Sequence, residues 1–364
     1  MLNSKIAVEN ILSDWVDPYT GKDLIETKSV KKIDLSGSHV QIQIVLGYPA
    51  KSFFKKVKKQ LEGQLLQITG IDSVDIEIRS EIVAREVQKS LKPMQDIKNI
   101  IAIASGKGGV GKSTTAVNIA LALSSDGAKV GILDADIYGP SQPLMLGLSG
   151  NPESLDGKTM EPKVAFGIQS ISIGYLIEED TPMIWRGPMV TNALQQLLNT
   201  THWTDLDYLI VDLPPGTGDI QLTLSQQIPV SGAVIVTTPQ DISLLDAQKG
   251  LKMFQKVEIP VLGIVENMST HICSRCGHEE AVFGQGGGEA MAKRYGLNLL
   301  GSLPLDIGIR QNADSGHPTV IAEPDSRIAE IYRDIARKMA ATLALRKKDS
   351  RGLFPQIVVN NQTP

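Results

Sequence analysis

"SGKGGVGKSTT", residues 105–115 of this 364-residue chain, is the stretch that decides the fold. It follows a short apolar run, "NIIAIAS" at residues 99–105, and leads into "STTAVNIALALSSDG" at residues 113–127, where we predict a helix. An unbroken apolar run of this length is typical of a strand that is buried on both faces of a parallel sheet. The three segments predict a strand, a glycine-rich loop and a helix in succession.

The glycine-rich loop has the residues that a phosphate site needs. It matches the pattern G-x-x-x-x-G-K-[ST] with Gly106, Gly111, Lys112 and Ser113. Glycines allow backbone N–H groups to approach phosphate oxygens without a Cβ clash, and the helix N-terminus adds the positive end of its dipole. We expect Lys112 to neutralise β- and γ-phosphate charge and the Ser113 hydroxyl to ligate Mg²⁺. The predicted nucleotide contacts are Gly106, Lys107, Gly108, Gly109, Val110, Gly111, Lys112, Ser113 and Thr114.

The same kind of apolar run recurs further along the chain. The runs are "KVGILDAD" (129–136), "YLIVDLPP" (208–215), "GAVIVTTP" (232–239) and "VLGIVENM" (261–268), and helical segments separate them. Strands that alternate with helices are typical of βαβ units. The sequence predicts an α/β fold of the P-loop NTPase type, with a mostly parallel, doubly wound sheet.

Lys107 is a second lysine in the loop, directly after the first glycine. A phosphate-binding loop of the usual kind does not need it. It lies on the outer edge of the loop, where it is poorly placed for the nucleotide of its own chain. It could instead reach a nucleotide in a facing subunit; a solvated surface lysine is the alternative.

Two acidic segments follow predicted strands and should complete the site. They are "ILDADIYGPS" (132–141), with Asp134 and Asp136, and "LIVDLPPGTGD" (209–219), with Asp212. Ligands of open α/β sheets bind at the carboxyl ends of the strands. We expect Asp212 to be linked to Mg²⁺ through water, Asp134 to support Mg²⁺, and Asp136 to orient the attacking water. The alternative is that these carboxylates cap helices.

The first 90 residues have a different pattern, that of a small α+β unit. "HVQIQIVL" (39–46) and "SVDIEIRS" (73–80) alternate apolar and polar residues as half-buried strands do, and residues 52–68 have one apolar helical face. We divide the chain into a small α+β domain (1–90), a linker (91–98), an α/β ATPase domain (99–345) and a weakly ordered tail (346–364).

The composition narrows the possible partners. Hydrophobic residues make up 42% of the chain and charged residues 21%, as in soluble globular proteins. A net charge of -4 and an aromatic content of 4% give no case for a nucleic-acid partner. We expect neither a membrane-spanning segment nor a secretory leader, and two cysteines cannot form a disulfide framework. We expect a cytoplasmic protein that contacts no membrane.

Several segments resemble those of a known family. "GKGGVGKST", "DADIYGPSQP" and "DYLIVDLPPGTGD" are similar to motifs of the deviant Walker A ATPases related to MinD and ParA. With "MIWRGPMV" (183–190), the C-x-x-C and "GSLPLDIGIRQNADSGHP" (301–318), the resemblance is closest to the Mrp/ApbC iron–sulfur cluster carriers. The first 90 residues resemble, through "DPYTGKDL" and a β-β-α-β pattern, the small metal–sulfur assembly domain that such proteins carry. Because that domain has no cysteine here, we expect it to contact partners.

The resemblance implies more than the phosphate site. It implies a homodimer that binds ATP and hydrolyses it slowly, with Lys107 reaching across the interface to the partner's nucleotide. It also implies that Asn267 and the segment from Pro304 to Asp306 contact the adenine. The implied function is the loading of [4Fe–4S] clusters onto apoproteins, with iron–sulfur scaffold or donor proteins and apoprotein clients as partners.

"HICSRCGHEE" (271–280) contains both cysteines of the chain, Cys273 and Cys276. Four interpretations compete: a thioredoxin-like redox pair, a structural zinc site completed by His271 and His278, an inert buried pair, and a cluster shared across a twofold axis. Two cysteines from each subunit make Cys₄, the ligand set of a [4Fe–4S] cluster, and an isologous dimer brings the same loop to itself. We favour the shared cluster; the alternative function is a MinD/ParA-like positioning ATPase with a structural zinc site.

Overall fold

The computed structural model describes residues 2–177, 187–273 and 275–349. The chain begins with a small α+β unit that forms a three-stranded sheet in the order β1-β2-β3, in which β2 is antiparallel to β1 and parallel to β3. The predicted strands at residues 39–46 and 73–80 are found there. The elements of this unit are α1 (Leu2–Asp14), β1 (Val30–Ser36), β2 (His39–Leu46), a 3₁₀ turn (Lys51–Phe53), α2 (Phe54–Leu65) and β3 (Ser73–Ser80).

Helix α2 shows why this unit folds as it does. Val57, Leu61 and Leu65 recur every four residues and are fully buried, whereas Lys55 and Lys59 on the opposite face are exposed. Burial of one such aliphatic side chain contributes roughly 1.5–3 kcal/mol. The amphipathic pattern of residues 52–68 therefore positions the helix against the sheet.

The second part of the chain contains the main sheet. Within the described residues this sheet has eight strands in the order β13-β10-β9-β4-β8-β5-β7-β6, all parallel except β6. The strands of this part are β4 (Ile97–Ser105), β5 (Val130–Asp134), β6 (Lys163–Ala165), β7 (Ile168–Ser172), β8 (Leu206–Asp212), β9 (Gly232–Thr237), β10 (Val261–Glu266), β11 (His271–Ile272), β12 (Glu279–Glu280) and β13 (Leu299–Ser302).

Helices cover both faces of the main sheet. The described helices are α3 (Lys112–Ser125), α4 (Gln142–Met145), α5 (Gly187–Thr200), α6 (Asp219–Gln227), α7 (Asp241–Lys256), α8 (Gly287–Tyr295), α9 (Ile307–Asp314), α10 (Thr319–Ala322) and α11 (Arg327–Ala344), with a 3₁₀ turn at Ile173–Tyr175. The α/β fold class is confirmed, and the five predicted apolar runs are the central strands β4, β5, β8, β9 and β10. Every residue of β8 and β9 is buried, because helices pack on both sides of them.

Strand β4 divides the hydrophobic core into two layers. Ile101 and Ile103 belong to one buried cluster, and Ile100 and Ala102 belong to another, because successive side chains of a strand point to opposite faces. The first cluster also contains buried side chains of the small unit, such as Val57. One continuous core therefore runs from the small unit into the main sheet.

A buried polar cluster also joins the two parts of the chain. Arg337 of α11 donates from Nε to Asp126 Oδ2 at 2.7 Å, and both side chains are buried. The backbone N–H of Ser52 donates to the other oxygen of Asp126 at 2.9 Å. Asp126 directly follows α3, so the small unit attaches at the end of that helix opposite the glycine-rich loop.

The segment before β4 is packed more closely than a free linker would be. Arg85 and Gln88 are buried. The side-chain amide of Gln88 donates to the backbone oxygen of Ser225 at 2.8 Å, and Nη1 of Arg85 donates to the backbone oxygen of Arg346 at 2.7 Å. The linker predicted over residues 91–98 leads into β4, which begins at Ile97.

Two predictions concern residues outside the described part of the chain. Residues 350–364 of the predicted tail lie outside it, and so do residues 183–186 of "MIWRGPMV".

None of the described helices combines the length and the apolar character that crossing a membrane requires.

Candidate functional site

The glycine-rich loop runs from the end of β4 to the start of α3, at the carboxyl edge of the main sheet. Gly111 precedes the helix with φ of 80°, a left-handed conformation that favours glycine. A Cβ at Gly106 would lie 2.2 Å from the backbone carbon of Asp246, so only glycine allows this close packing on α7. The side-chain amide of Asn267 donates to the backbone oxygen of Val110 at 2.9 Å.

Lys112 points inward and is paired with the buried carboxylate that ends β8. Its Nζ lies 2.5 Å from Asp212 Oδ1 and 3.8 Å from Asp136 Oδ2. The side-chain amide of Gln142 donates to Asp212 Oδ2 at 2.9 Å and to the backbone oxygen of Ser113 at 3.2 Å. The structure therefore brings three predicted site residues, Lys112, Asp136 and Asp212, to one place.

Asp134 is fully buried beside this group and accepts hydrogen bonds from its own loop. Its Oδ2 accepts from the backbone N–H groups of Ser141 and Gln142 at 3.0 and 3.1 Å, and from the Ser172 hydroxyl at 3.0 Å. Burial, with a further contribution from the charge of Asp212, raises the pKa of Asp134 to about 7. These bonds hold the loop that carries Gln142, and the proposed support of Mg²⁺ by Asp134 stays a prediction.

Asp136 is placed differently, although it is only two residues away. Its side chain lines the cavity described below and is 14% exposed. Burial raises the pKa of Asp136, the charge of Lys112 opposes that shift, and the charge of Asp212 adds to it. A carboxylate with a raised pKa is a better proton acceptor, as the predicted role in orienting water requires.

A cavity of about 550 Å³ lies over the glycine-rich loop. It brings the loop together with Asn267, Pro304 and Asp306, the residues that the family resemblance places at the adenine. Asp306 also caps α9, because its Oδ1 accepts from the backbone N–H of Gly308 at 2.6 Å. The surface pair Arg310–Asp314, joined at 3.0 Å, lies at the edge of the cavity.

The polar atoms at this place suit a hydrated magnesium ion. Two buried oxygens, Ser141 Oγ and Gln142 Oε1, have no hydrogen-bond partner within the described residues. They lie on the loop whose Gln142 contacts Asp212 and the backbone of Ser113. Mg²⁺ prefers hard oxygen donors and keeps several of its waters. The hydroxyl of Ser113 and the carboxylate of Asp212 fit such an ion, with Asp212 acting through water.

Lys107 does not point into the cluster around Asp212. It is half-buried, and its Nζ lies 3.5 Å from the side-chain oxygen of Gln240, which immediately precedes α7. This is a long contact to a neutral group, and the described residues include no salt bridge to Lys107. Among the described residues, the ammonium group of Lys107 therefore has no charged partner.

The two cysteines lie on a small ribbon at the same edge of the sheet. Strands β11 and β12 pair antiparallel, and the turn between them is held by bonds from the Cys273 N–H to the His278 oxygen (2.9 Å) and from the Gly277 N–H to the Cys273 oxygen (2.8 Å). Cys273 is half-buried and Cys276 is exposed, and both are free thiols. Hydrogen bonds from the backbone N–H groups of Arg275 and Cys276 lower the pKa of the Cys273 thiol.

The ribbon does not assemble a metal site within one chain. Over residues 2–177, 187–273 and 275–349, no group of three or more His, Cys, Asp or Glu side chains is arranged to hold a metal ion. His271 instead uses Nδ1 for a bond to the backbone oxygen of Leu305 at 3.2 Å. The structural zinc site with His271 and His278 is therefore not favoured.

Some site residues could not be found from the pattern alone. Gln142 lies within "DADIYGPSQP", but nothing in that segment indicates that its amide reaches Asp212. Gln240 and Leu305 contact Lys107 and His271 across 133 and 34 residues of chain, and sequence spacing carries no signal of such contacts.

A glycine-rich loop of this geometry, at the carboxyl edge of a parallel sheet, defines the class of P-loop NTPases. Within that class, the chain belongs to the family described as NUBPL iron-transfer P-loop NTPase, whose model matches residues 96–340. A second model, described as iron-sulfur cluster assembly protein, matches residues 5–78. The resemblance drawn from the sequence motifs is confirmed.

Named relatives cover most of the chain. A protein of Escherichia coli K12, "Iron-sulfur cluster carrier protein", is 51% identical over 337 residues, which are 92% of this chain and 91% of the relative. The mouse "Iron-sulfur cluster transfer protein NUBPL" is 49% identical over 280 residues, 76% of this chain and 88% of the relative. A positioning ATPase is not favoured by these similarities.

A solved structure also matches the main domain. It is a nucleotide-binding protein from Archaeoglobus fulgidus in complex with ADP, 36% identical, with a TM-score of 0.55. The match covers 64% of this chain and 90% of the archaeal chain. The similarity supports a P-loop nucleotide-binding fold for the second part of this chain.

Proposed function

We propose that this protein binds iron–sulfur clusters and transfers them to apoproteins, with Cys273 and Cys276 of two subunits holding one [4Fe–4S] cluster as cargo. The observation that carries this proposal is the ribbon itself. It presents two free thiols, one of them exposed, on a short hairpin outside the main sheet. An exposed site of this kind suits release of a cluster better than permanent storage.

The chemistry of the thiols supports the proposal. The thiolate is the form that ligates iron, and the lowered pKa of the Cys273 thiol favours that form. Two thiolates are half of the Cys₄ set of a [4Fe–4S] cluster. A twofold axis near the ribbon would supply the other half from an identical loop, so the ligand count itself argues for a homodimer.

Exposed apolar side chains give independent support for a homodimer. Leu144 lines the cavity, Ile307 begins α9 beside Asp306, and Ile242 lies in the first turn of α7. These side chains are 63% to 69% exposed. Contiguous exposed apolar patches are typical of interfaces, and we propose that these three side chains contribute to one. Lys107, for which the described residues supply no charged partner, would meet the partner's nucleotide across that interface.

The cavity is proposed to bind ATP. Lys112 would exchange Asp212 for the β- and γ-phosphates, while Asn267, Pro304 and Asp306 surround the adenine. Mg²⁺, held by the Ser113 hydroxyl and by Asp212 through water, would neutralise phosphate charge. Slow hydrolysis is proposed to follow when Asp136 orients a water molecule toward the γ-phosphate.

The proposed partners follow from the cargo. Iron–sulfur scaffold or donor proteins would supply the cluster, and apoprotein clients would receive it. We place the protein in the cytoplasm, where reducing conditions keep Cys273 and Cys276 as thiols. The small α+β domain, attached away from the nucleotide site, is proposed to contact these partners.

Anaerobic reconstitution with ferrous iron and sulfide tests the proposal. The full-length protein is compared with the Cys273→Ala/Cys276→Ala variant, and cluster absorbance, iron and sulfide are measured per dimer. We expect about four iron atoms per dimer in the wild type, as a [4Fe–4S] cluster requires, and almost none in the variant. The loaded wild type should also restore activity to an apoenzyme that needs such a cluster.

The His278→Ala variant is the matched control. It changes a side chain in the same ribbon and keeps both thiols, so it should bind as much iron as the wild type. A double cysteine variant that keeps the full iron and sulfide content would refute the shared cluster. Loss of metal in the His278→Ala variant would instead support the zinc site.

A further inference from the structure

The nucleotide cavity and the cysteine ribbon share one piece of backbone. Beyond the end of β10, the chain continues beside the segment that follows β13. The Leu303 N–H donates to the Glu266 oxygen at 2.8 Å, the Ser269 N–H donates to the Leu303 oxygen at 2.9 Å, and the Leu305 N–H donates to the Thr270 oxygen at 2.7 Å. The two segments therefore form a continuous ladder beyond the sheet.

His271 extends this ladder into the ribbon. It pairs with Leu305 as a parallel bridge, and it also pairs with Glu280 in the ribbon. Its Nδ1 lies 3.2 Å from the Leu305 oxygen. A carbonyl oxygen can only accept, so Nδ1 carries the proton of this bond. The first residue of the ribbon is thus bonded, through both backbone pairing and its side chain, to residue 305.

Residue 305 also forms part of the wall of the nucleotide cavity. Pro304, Leu305 and Asp306 line it, and Asp306 caps α9 through the N–H of Gly308. A molecule that contacts this wall would contact Leu305, whose backbone is bonded to Thr270 and to His271. Cys273, two residues beyond His271, would experience any change in the direction of β11.

We propose that His271 is a positioning residue that couples nucleotide binding to the orientation of the cysteine pair, through its bond to the Leu305 backbone oxygen. This inference rests on the proposed function, because it assumes a nucleotide in the cavity. A ligand shifts an equilibrium between two conformations only when its contacts differ between them. In this proposal, the contacts that differ are those between the nucleotide and residues 304–306. Coupling between sites is reciprocal, so the orientation of the cysteine pair also affects nucleotide affinity.

The alkylation rates of the cysteines test the coupling. The reduced, cluster-free, full-length protein is treated with iodoacetamide with and without saturating Mg-ADP, and mass spectrometry follows Cys273 and Cys276 separately. We expect Mg-ADP to change the rate at one or both cysteines by about two- to tenfold, the range that one hydrogen bond can carry. The affinity for Mg-ADP is measured directly for each variant, so that saturation is assured.

Three variants separate a positioning role from a structural one. His271→Phe keeps a planar ring but cannot donate to Leu305, and its alkylation rates should not respond to Mg-ADP. His271→Asn retains a donor near the position of Nδ1 and should restore part of the response. His278→Phe is the matched control: its side chain makes no hydrogen bond within the described residues, so the response should equal that of the wild type.

Three results would overturn the proposed coupling. One such result is a wild type that binds Mg-ADP with unchanged alkylation rates. Another is a His271→Phe variant that responds like the wild type, and a third is loss of the response in both His271→Phe and His278→Phe. Failure of the proposed function is a separate result, because it is measured as cluster retention by Cys273 and Cys276. The coupling can therefore fail while cluster binding stands, and the reverse also holds.

Discussion

Lys112 and Asp212 form a buried ion pair, with 2.5 Å between Nζ and Oδ1. The lysine that the loop pattern assigns to phosphate is thus already neutralised by a carboxylate from a neighbouring strand. A phosphate must compete with Asp212 for this lysine. The pair also keeps both charges compensated inside the protein.

The first prediction concerns this ion pair. Lys112→Ala leaves the Asp212 carboxylate buried without its partner, which should lower the free energy of unfolding by about 3–5 kcal/mol. Adding Asp212→Asn removes the unpaired charge and should recover most of that loss. Urea denaturation followed by tryptophan fluorescence measures both effects, and nucleotide binding should be lost in both variants. A stable Lys112→Ala variant would contradict the role of the pair.

The second prediction concerns Asp136. Asp136→Asn removes the carboxylate that is proposed to orient water, so the turnover of ATP should fall by about 100-fold or more. Binding of Mg-ATP should change little, because Asp136 does not belong to the glycine-rich loop. Asp314→Asn, which neutralises a surface carboxylate at the edge of the same cavity, is the control. Similar ATP turnover in Asp136→Asn and the wild type would contradict the proposed role of Asp136 in orienting water.

The third prediction concerns Lys107. Lys107→Ala should leave nucleotide binding by the single chain intact and should abolish nucleotide-dependent dimer formation, measured by light scattering or sedimentation. The reason is that Gln240 is the one hydrogen-bond partner of its ammonium group among the described residues, and that this group is proposed to pair with the partner's nucleotide. Lys59→Ala removes an exposed lysine of α2 and should dimerise normally. Equal dimerisation of both variants would show that Lys107 is an ordinary surface lysine with no role in dimer formation.

The fourth prediction concerns the pH dependence of stability through Asp134. Its pKa is raised to about 7 in the folded chain from an ordinary value of 3.8, so the folded state holds this proton more tightly than the unfolded state does. The stabilisation is complete below pH of about 4 and is lost as the pH rises toward 7. The difference in unfolding free energy between the wild type and Asp134→Asn should therefore decrease between these values and level off above pH 7. A difference that is independent of pH would show that Asp134 is ionised throughout.

The elements that local patterns determine were predicted well. Unbroken apolar runs predicted the five central strands, and the glycine-rich motif predicted the position of the phosphate loop. Both signals come from neighbouring residues: burial on two faces selects apolar residues, and close backbone approach selects glycine. β6, β7 and β13 have weaker local patterns, and none of them was predicted.

The roles of the carboxylates could not be separated from the sequence. Asp134 and Asp136 are two residues apart and have the same chemistry. The folded chain distinguishes them, because Asp134 ends β5 and is bonded to its own loop, whereas Asp136 lies after the strand and faces the cavity. The difference depends on the path of residues 136–142, which packing against Ser172 and Asp212 decides.

Long-range contacts could not be predicted from the sequence patterns either. No local pattern indicates that Arg85 and Gln88, which precede the predicted linker, are buried, because their partners lie more than 130 residues away. The bond between His271 and Leu305 is of the same kind. Such contacts form only when segments that are far apart in the sequence meet in the folded chain.

The buried cluster of Ser52, Asp126 and Arg337 has a practical consequence. Because these polar groups and one continuous apolar core cross between the two parts of the chain, the first 90 residues are not a detachable module. A truncation that removed them would leave the charges of Asp126 and Arg337 in contact with solvent beside newly bared aliphatic surface. Experiments that seek the contribution of the small domain are therefore better done with point substitutions on its exposed face than by excision.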